Sequence, residues 1–280
     1  MKDDHASSTA LGVSIIRTVH QLIDELPHIL EDPISPLLLS AEKIKAIESN
    51  PNRYQTAYAK GLRSHVVLRS RFAEDELRSS IESGVKQFIS MGAGFDTFPF
   101  RQPDWAKGIQ IIEIDHPASQ KAKLDHFRSR KISFPNNLEF IPLDLEKSDI
   151  STSLSGSKID WKQPIFMTCL GVLAYLSLDA VRNIFKSIGS MPTGSTLVLA
   201  FASRHSDGET IKETVTADRA AEHGEPWKTY FYEEELEREM IDHGFRQVTF
   251  LQPEDAADRY YKGRTDLPAP RRTRLCVGQV

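Results

Sequence analysis

From residue 84 onward, short β-rich runs alternate with helical patterns, and this alternation limits the possible folds more than any other feature of the sequence. The first five runs are VKQFISMG, GIQIIEID, NLEFIPLD, QPIFMTCL and STLVLAFA, and two helical patterns between them are HPASQKAKLDHFRSR and SLDAVRNIFKSIGSM. Strands separated by helices predict a parallel sheet with helices on both faces. A further helical pattern, YEEELEREMIDHGF, precedes two last runs, RQVTFLQ and TRLCVGQV. The sequence therefore predicts an α/β fold with a doubly wound, mostly parallel sheet of seven strands.

The N-terminal third of the chain is helical and lacks this alternation. An apolar stripe predicts a first helix around Leu11–Ile23, and the two prolines of the following EDPISPLL interrupt it. The pattern predicts a second helix over Leu37–Ile47 and a third over Tyr54–Ile81. We expect residues 1–83 to form a helical segment or lid on a domain of residues 84–280, the whole being one compact unit.

The composition excludes several classes of protein. The chain has 280 residues, 40% of them hydrophobic and 26% charged, which is typical of a globular protein with a sizeable core. A net charge of −4 disfavours a nucleic-acid partner, and the sequence contains neither an apolar run long enough for a membrane span nor a signal peptide. The two cysteines, Cys169 and Cys276, stand far apart and predict neither a disulfide scaffold nor a metal site. We expect a cytoplasmic protein.

The stretch FISMGAGFDT carries the clearest chemical signal. Its β-rich run ends at Gly92 and Gly94, and glycines at a strand end let the backbone approach a ligand, while a helix after them would add a positive dipole. Asp115 follows Gly94 by 21 residues and ends the next run, where a carboxylate can accept hydrogen bonds from both ribose hydroxyls. The alternative is that Asp115 caps a helix beginning near Pro117. We favour a nucleoside-binding loop.

The residues around this loop indicate which class of nucleoside ligand the site would bind. A dinucleotide fingerprint has a third glycine where this chain has Thr97, so the pattern favours a nucleoside without a pyrophosphate, such as S-adenosylmethionine. Asp144 and Leu145 end the third run, where a carboxylate can accept from an adenine amino group and an apolar side chain can pack on the ring. The alternative for Asp144 is a helix cap.

The motifs SMGAGFDTFPFR, IIEIDHP and PLDL resemble those of the leucine carboxyl methyltransferase family and its bacterial relatives. The similarity continues in STALGVSIIRTVHQL, LRSRFAEDEL, GVLAYLS, GEPWKTYFYEEELEREMIDHGF and RYYKGR, and so spans nearly the whole chain. The resemblance implies a class I S-adenosylmethionine-dependent methyltransferase fold, with S-adenosylmethionine as cofactor and S-adenosylhomocysteine as product.

The resemblance also implies which residues contact the cofactor. By motif position, Gly92 and Gly94 would contact the methionine portion of the cofactor, and Asp115 would contact the ribose. Asp144 and Leu145 would contact the adenine. Arg69 would pair with the cofactor carboxylate, with Arg71 as the alternative. Leu170 stands where relatives such as the eukaryotic enzyme carry an acidic residue near the cofactor, a departure that bears on the substrate and not on the fold.

Three residues are candidates for positioning a substrate: Tyr175, Arg204 and His205. Alternatively, Tyr175 is a buried core residue, Arg204 a surface residue and His205 a solvated loop residue. Trp227 either lines an apolar pocket or packs in the core. No catalytic residue is assigned, because a carboxylate acceptor is already ionised near neutral pH and needs positioning rather than a base. A hydroxyl acceptor would use a base such as a histidine.

The expected activity is therefore O-methylation of a carboxylate or hydroxyl on a small molecule. Two alternatives stay open. An NAD-dependent oxidoreductase would share the glycine loop and Asp115. A catalytically inactive, cofactor-binding regulatory protein is an alternative that Leu170 leaves open.

Overall fold

The fold is built around one seven-stranded sheet, and the computed structural model describes residues 8–204, 215–222 and 224–280. The strands are β1 (Gln87–Met91), β2 (Gln110–Asp115), β3 (Leu138–Pro142), β4 (Phe166–Cys169), β5 (Thr196–Ala200), β6 (Gln247–Phe250) and β7 (Leu275–Gln279). Their order is β3-β2-β1-β4-β5-β7-β6, and β7 runs antiparallel to both of its neighbours while the other pairs are parallel. The predicted doubly wound, mostly parallel α/β sheet is confirmed.

The helices of the described chain lie on both faces of this sheet and at its edges. They are α1 (Ser8–Ile23), α2 (Ala41–Ser49), α3 (Ala57–Glu82), α4 (Pro117–Ser129), α5 (Ile150–Ser153), α6 (Leu178–Gly189), α7 (Val215–Glu222), α8 (Glu233–Asp242) and α9 (Pro253–Ala256). The start of the second predicted helix was wrong. Ser35–Leu38 is a 3₁₀ turn with Pro36 in its first turn, the backbone is extended at Leu39, and Ser40 then caps α2.

Two apolar layers hold the helices to the sheet. Ile112 and Ile114 of β2 point into the layer shared with α6 and α8, whereas Ile111 points into the opposite layer shared with α3. These three side chains are fully buried, and each contributes about 1.5–3 kcal/mol through removal of its apolar surface from water. Since α3 packs directly against β4 and β5, it fixes whatever it carries relative to the carboxyl ends of those strands.

The remaining N-terminal elements pack on α3 and on one another. Helix α1 contacts α2 and α3, and Val19 lies in a small apolar cluster with Leu39 and Ile47. The division of the chain at residue 84 stays a prediction. No helix in the described ranges is both long and apolar enough to cross a membrane.

Candidate functional site

The strand order reverses between β1 and β4, because β2 continues the sheet on one side and β5 on the other. In open α/β sheets a crevice forms at such a point, outside the carboxyl ends of the strands, and ligands bind there. We therefore expect a ligand site between the loops that leave β1 and β4.

The glycine loop after β1 is tied directly to Asp115 at the end of β2. Gly92 and Gly94 have φ angles of +64° and +50°, in the left-handed region that favours glycine, and a Cβ on Gly92 would overlap Val172. The backbone N–H of Gly94 donates to Asp115 Oδ2 at 2.5 Å, and the N–H of His116 donates to Asp115 Oδ1 at 2.7 Å. Gly94 and Asp115, both predicted from the sequence, are thus in direct contact.

The electrostatics of Asp115 follow from this arrangement. Burial raises the pKa of Asp115, and the two backbone N–H donors oppose that rise. The helix cap is His116, whose side chain accepts from the N–H of Ala118. The alternative role of Asp115, as the cap of α4, is therefore filled by its neighbour.

The predicted helix after the glycine loop is absent, which corrects the sequence interpretation. Phe98–Phe100 and Asp104–Ala106 form short 3₁₀ turns. Pro99 and Pro103 explain this, because proline lacks the N–H that a continuing helix needs. The loop therefore does not open an α-helix, and a helix N-terminus for a pyrophosphate is not present at this position.

Arg69 lies on α3 with its guanidinium against the loop after β4. Its Nε is shielded from solvent without a hydrogen-bond partner, and no carboxylate of the described residues forms an ion pair with it. The site leaves room for this side chain only because residue 171 is glycine: a Cβ there would lie 2.5 Å from Arg69 Nη1. Burial, and then the charge of Arg17, lower the pKa of Arg69 to about 10. Arg69 is thus a cation short of an acceptor.

The alternative arginine has a different environment. Arg71 is 42% exposed and its Nε lies 2.9 Å from Asp75 Oδ1, one helical turn further on. The charge of Arg71 is therefore already paired at the surface. Of the two arginines, Arg69 is the one whose guanidinium lies against the loop after β4.

Asp144 and Leu145 lie after β3, in a turn and not in a helix. Asp144 Oδ1 accepts from the N–H of Glu146 at 3.0 Å, and Oδ2 lies 3.3 Å from Lys147 Nζ. Leu145 is 8% exposed and packs in the α6 layer. The carboxylate of Asp144 thus stabilises its own turn, and the Asp144 side chain is 26% exposed.

Leu170 packs on the opposite face of the sheet from Leu145, against the α3 layer. It lines a small cavity of about 20 Å³ whose other lining residues include Arg17, Glu74 and Asp96. The predicted role of Leu170 as a cofactor contact has no independent support in this placement, since its side chain faces a space large enough for about one water molecule.

Helix α1 lies across the glycine loop, a contact that sequence reasoning missed. Ala10 Cβ would lie 3.2 Å from a Cβ on Gly94. Arg17 Nη1 donates to Asp96 Oδ1 at 2.7 Å, and Arg17 Nη2 donates to Ser70 Oγ on α3 at 2.7 Å. Burial opposes ionisation of Asp96, but Arg17 and other nearby cations hold its pKa at about 2. The available signal was an arginine within the apolar stripe of α1.

Two further buried ion pairs lie on elements next to the glycine loop. Glu113, the first acidic residue of IIEID, forms hydrogen bonds of 2.8 and 2.6 Å with Lys123 Nζ on α4, and both side chains are 1% exposed. Burial raises the pKa of Glu113, and Lys123 opposes that rise. Arg101 pairs with Glu74 on α3. Their full pairing indicates a structural role.

On the other side of the crevice, Tyr175 and Trp227 form an aromatic wall. Their rings lie 6.4 Å apart at 89°, and the backbone N–H of Lys228 donates to Ala174 O at 2.6 Å, which holds the two segments together. The indole Nε1 of Trp227 and the hydroxyl of Ser203, just after β5, are shielded without hydrogen-bond partners. Tyr175 and Trp227 thus lie together, on segments that follow β4 and β5.

The other two substrate candidates are not brought to this wall. Arg204 is 43% exposed, lies 3.7 Å from Glu235 Oε1 and sits 6.0 Å from the centre of the Tyr232 ring, which matches its alternative as a surface arginine. His205 lies outside the described residues. Within the described ranges, no group of three or more histidine, cysteine, aspartate or glutamate side chains could hold a metal ion.

Comparisons with known proteins agree with this architecture. Residues 10–189 match the family described as "Leucine carboxyl methyltransferase". The chain is 25% identical over 290 residues to the Bacillus subtilis (strain 168) protein named "Putative S-adenosyl-L-methionine-dependent methyltransferase YktD", covering 95% of each chain. It is 28% identical over 201 residues to a protein of Frankia alni with the same descriptive name, covering 70% of this chain and 69% of the relative.

The structural comparison concerns the fold alone. The "crystal structure of a putative methyltransferase from Thermobifida fusca YX" aligns with a TM-score of 0.57 at 16% identity, covering 99% of this chain and 96% of that one. A "duf574 family protein" from Streptomyces avermitilis aligns with a TM-score of 0.57 at 15% identity, covering 98% and 97%. With the strand order above, the predicted class I fold is confirmed.

Proposed function

Because the chain belongs to the leucine carboxyl methyltransferase family, we propose that it is an S-adenosylmethionine-dependent enzyme that methylates an oxygen atom, a carboxylate or hydroxyl, of a small molecule. One observation carries the proposal: Arg69 holds a shielded guanidinium nitrogen with no partner at the carboxyl edge of the sheet. A cation in that state destabilises the protein unless a ligand supplies a negative group.

The residues present fit S-adenosylmethionine. The guanidinium of Arg69 would bind the amino-acid carboxylate, since a planar fork matches two carboxylate oxygens. The positive φ angles of Gly92 and Gly94 open the loop to a close ligand, and Asp115 at the end of β2 keeps lone pairs for ribose hydroxyls. Asp144 and Leu145 would face the adenine. When bound, the cofactor supplies an electrophilic methyl group and leaves as a neutral thioether.

The protein's contribution to the reaction is positioning and exclusion of water. An acceptor carboxylate needs no general base near neutral pH, because its reference pKa is about 4. The aromatic wall of Tyr175 and Trp227 would orient the acceptor, and α1, which lies on the glycine loop, would keep water out. For this reason we also propose that the N-terminal segment acts as a lid.

The alternative of a dinucleotide-dependent oxidoreductase is less well supported. Pyrophosphate binding in such enzymes uses the N-terminus of an α-helix directly after the glycine loop. This chain has a 3₁₀ turn there, and Thr97 donates its hydroxyl hydrogen to Asp32 at 2.7 Å instead of leaving the site open.

Thermal melting with S-adenosylmethionine, S-adenosylhomocysteine and NAD tests the proposal. A ligand at about a hundred times its Kd adds roughly 2.7 kcal/mol to the free energy of unfolding. We expect both sulfur nucleosides to raise Tm, Asp115→Ala to abolish the increase, and Asp104→Ala, at a side chain that is 94% exposed, to leave it intact. A shift with NAD alone contradicts the proposal. Turnover of the cofactor with candidate acceptors then distinguishes an active enzyme from a regulatory protein.

A further inference from the structure

A second cationic side chain lies at the carboxyl edge of the sheet, apart from Arg69. Arg274 directly precedes β7, whose first residue, Leu275, pairs with Ala200 at the carboxyl end of β5. The carbonyl of Arg274 accepts a hydrogen bond from the N–H of Phe201 at 3.1 Å. This register places Arg274 beside the segment that leaves β5, on the edge where doubly wound sheets bind their ligands.

The fold itself gives no reason for an arginine at this position. Its φ angle is +54°, in the left-handed region that residues with a Cβ seldom adopt. Its Nε is shielded from solvent and has no hydrogen-bond partner, and no ion pair links its guanidinium to any carboxylate in the described ranges. Backbone strain and unpaired buried charge both cost stability, and both are concentrated at ligand-binding sites.

The surroundings of Arg274 are positive. His65 and Arg69 lie one turn apart on α3, the helix that packs against β5. Burial, with the charges of Arg69 and Arg274, lowers the pKa of His65 to about 3, so the imidazole is neutral in ordinary buffers. Burial, with the charge of Arg272, lowers the pKa of Arg274. Among the described residues, the charges that act on Arg274 and on the neighbouring His65 are those of arginines.

We propose that Arg274 binds an anionic group of the methyl acceptor, so that the substrates of this protein are small organic acids. The inference rests on the proposed function, in which Arg69 is occupied by the cofactor carboxylate and leaves Arg274 for the acceptor. A guanidinium with two free donors binds a carboxylate through two parallel hydrogen bonds, which fixes the orientation of the acid as well as its position. Neutral alcohols and phenols gain nothing from this residue.

Binding of acetate to the full chain saturated with S-adenosylhomocysteine tests the proposal. Acetate is the smallest organic carboxylate and fits wherever a larger acid does, and acetamide is its neutral counterpart. Imidazole resonances of His65, assigned with His65→Gln, report binding by NMR. We expect a saturable shift with acetate and none with acetamide. Arg274→Gln should weaken acetate binding at least tenfold, while Arg271→Gln, an equal loss of charge at an exposed neighbour, should leave it unchanged.

The outcomes separate the two proposals. Failure of S-adenosylhomocysteine to bind contradicts the proposed function. Normal binding of S-adenosylhomocysteine with no acetate shift, or with the same acetate affinity in Arg274→Gln, contradicts the assignment of Arg274 alone. A stability measurement adds an independent criterion: Arg274→Gln should melt at or above the temperature of the parent protein, since it removes an unpaired charge. A lower Tm would identify Arg274 as a structural residue and overturn the proposal.

Discussion

Replacing Arg69 with glutamine is expected to stabilise the free protein while weakening its affinity for the cofactor. Burial lowers the pKa of Arg69 from its ordinary value to about 10, and one pKa unit corresponds to about 1.36 kcal/mol. The charged form therefore destabilises the fold by up to about 3 kcal/mol. Because the protonated form is the one disfavoured, this cost is complete below about pH 10 and diminishes as the pH rises from there toward the ordinary pKa of an arginine. Glutamine removes the charge and keeps a polar side chain.

The effect on binding has the opposite sign. A hydrogen-bonded contact between a guanidinium and a carboxylate contributes about 1.5–3 kcal/mol. Its loss should raise the Kd for S-adenosylhomocysteine roughly 10- to 150-fold. The same substitution should raise Tm in the absence of ligand by roughly 2–6 °C, since about 1–3 kcal/mol is gained in a chain of this size.

Isothermal titration with S-adenosylhomocysteine and calorimetric melting of the free protein measure the two effects. Arg71→Gln is the matched control, because Arg71 is 42% exposed and already paired with Asp75. We expect it to change Kd by less than about twofold and stability by less than about 1 kcal/mol. The reasoning is refuted if Arg69→Gln binds S-adenosylhomocysteine as tightly as the parent protein, or if it melts at a lower temperature without ligand.

Three other predictions follow from the contacts around the glycine loop. Since the pKa of Asp96 falls from 3.8 to about 2 on folding, its charge contributes about 2 kcal/mol that is fully present above pH ~4 and is lost as the pH falls through ~2. Between pH ~2 and ~4, the free energy of unfolding measured in urea should therefore change less for Asp96→Asn than for the parent protein. Gly171→Ala should displace the Arg69 guanidinium and raise the Kd for S-adenosylhomocysteine at least tenfold by titration. Gly194→Ala, also at a positive φ but 3.6 Å from its nearest neighbour, should lower Tm without changing that Kd. Hydrogen exchange in α1 should slow when S-adenosylhomocysteine binds, and unchanged exchange would contradict the lid.

The sheet could be predicted because its strands are encoded locally. Several runs of β-branched and aromatic residues end in a glycine or an acidic residue, and helices between them carry their own caps, such as Ser177 before α6. Local signals failed where two structures compete over a few residues. The prolines after the glycine loop were visible, but only the folded chain reveals that they leave 3₁₀ turns in place of a helix.

The candidate site was predictable only in part, because its remaining contacts join distant segments. Gly94 and Asp115 belong to adjacent strands with a known spacing, so their meeting could be predicted. The choice between Arg69 and Arg71 depends on the rotation of α3, since residues two apart on a helix point about 200° apart. Arg17 and its partner Asp96 are separated by 79 residues, and no local pattern specifies such a pair.

Helix α1 is held by side-chain contacts at two points, near its start and near its middle, and this has a consequence for the timing of the catalytic cycle. Thr9 donates to Glu225 at 2.6 Å near its start, and Arg17 pairs with Asp96 at 2.7 Å two turns later. If α1 is the lid proposed above, the product leaves only after one of these contacts opens, and we expect its release, rather than methyl transfer, to limit turnover. Because the ion pair of Arg17 with Asp96 is largely shielded from solvent, added salt should change the rate of product release little. A substitution that removes the Thr9 contact should increase the turnover rate.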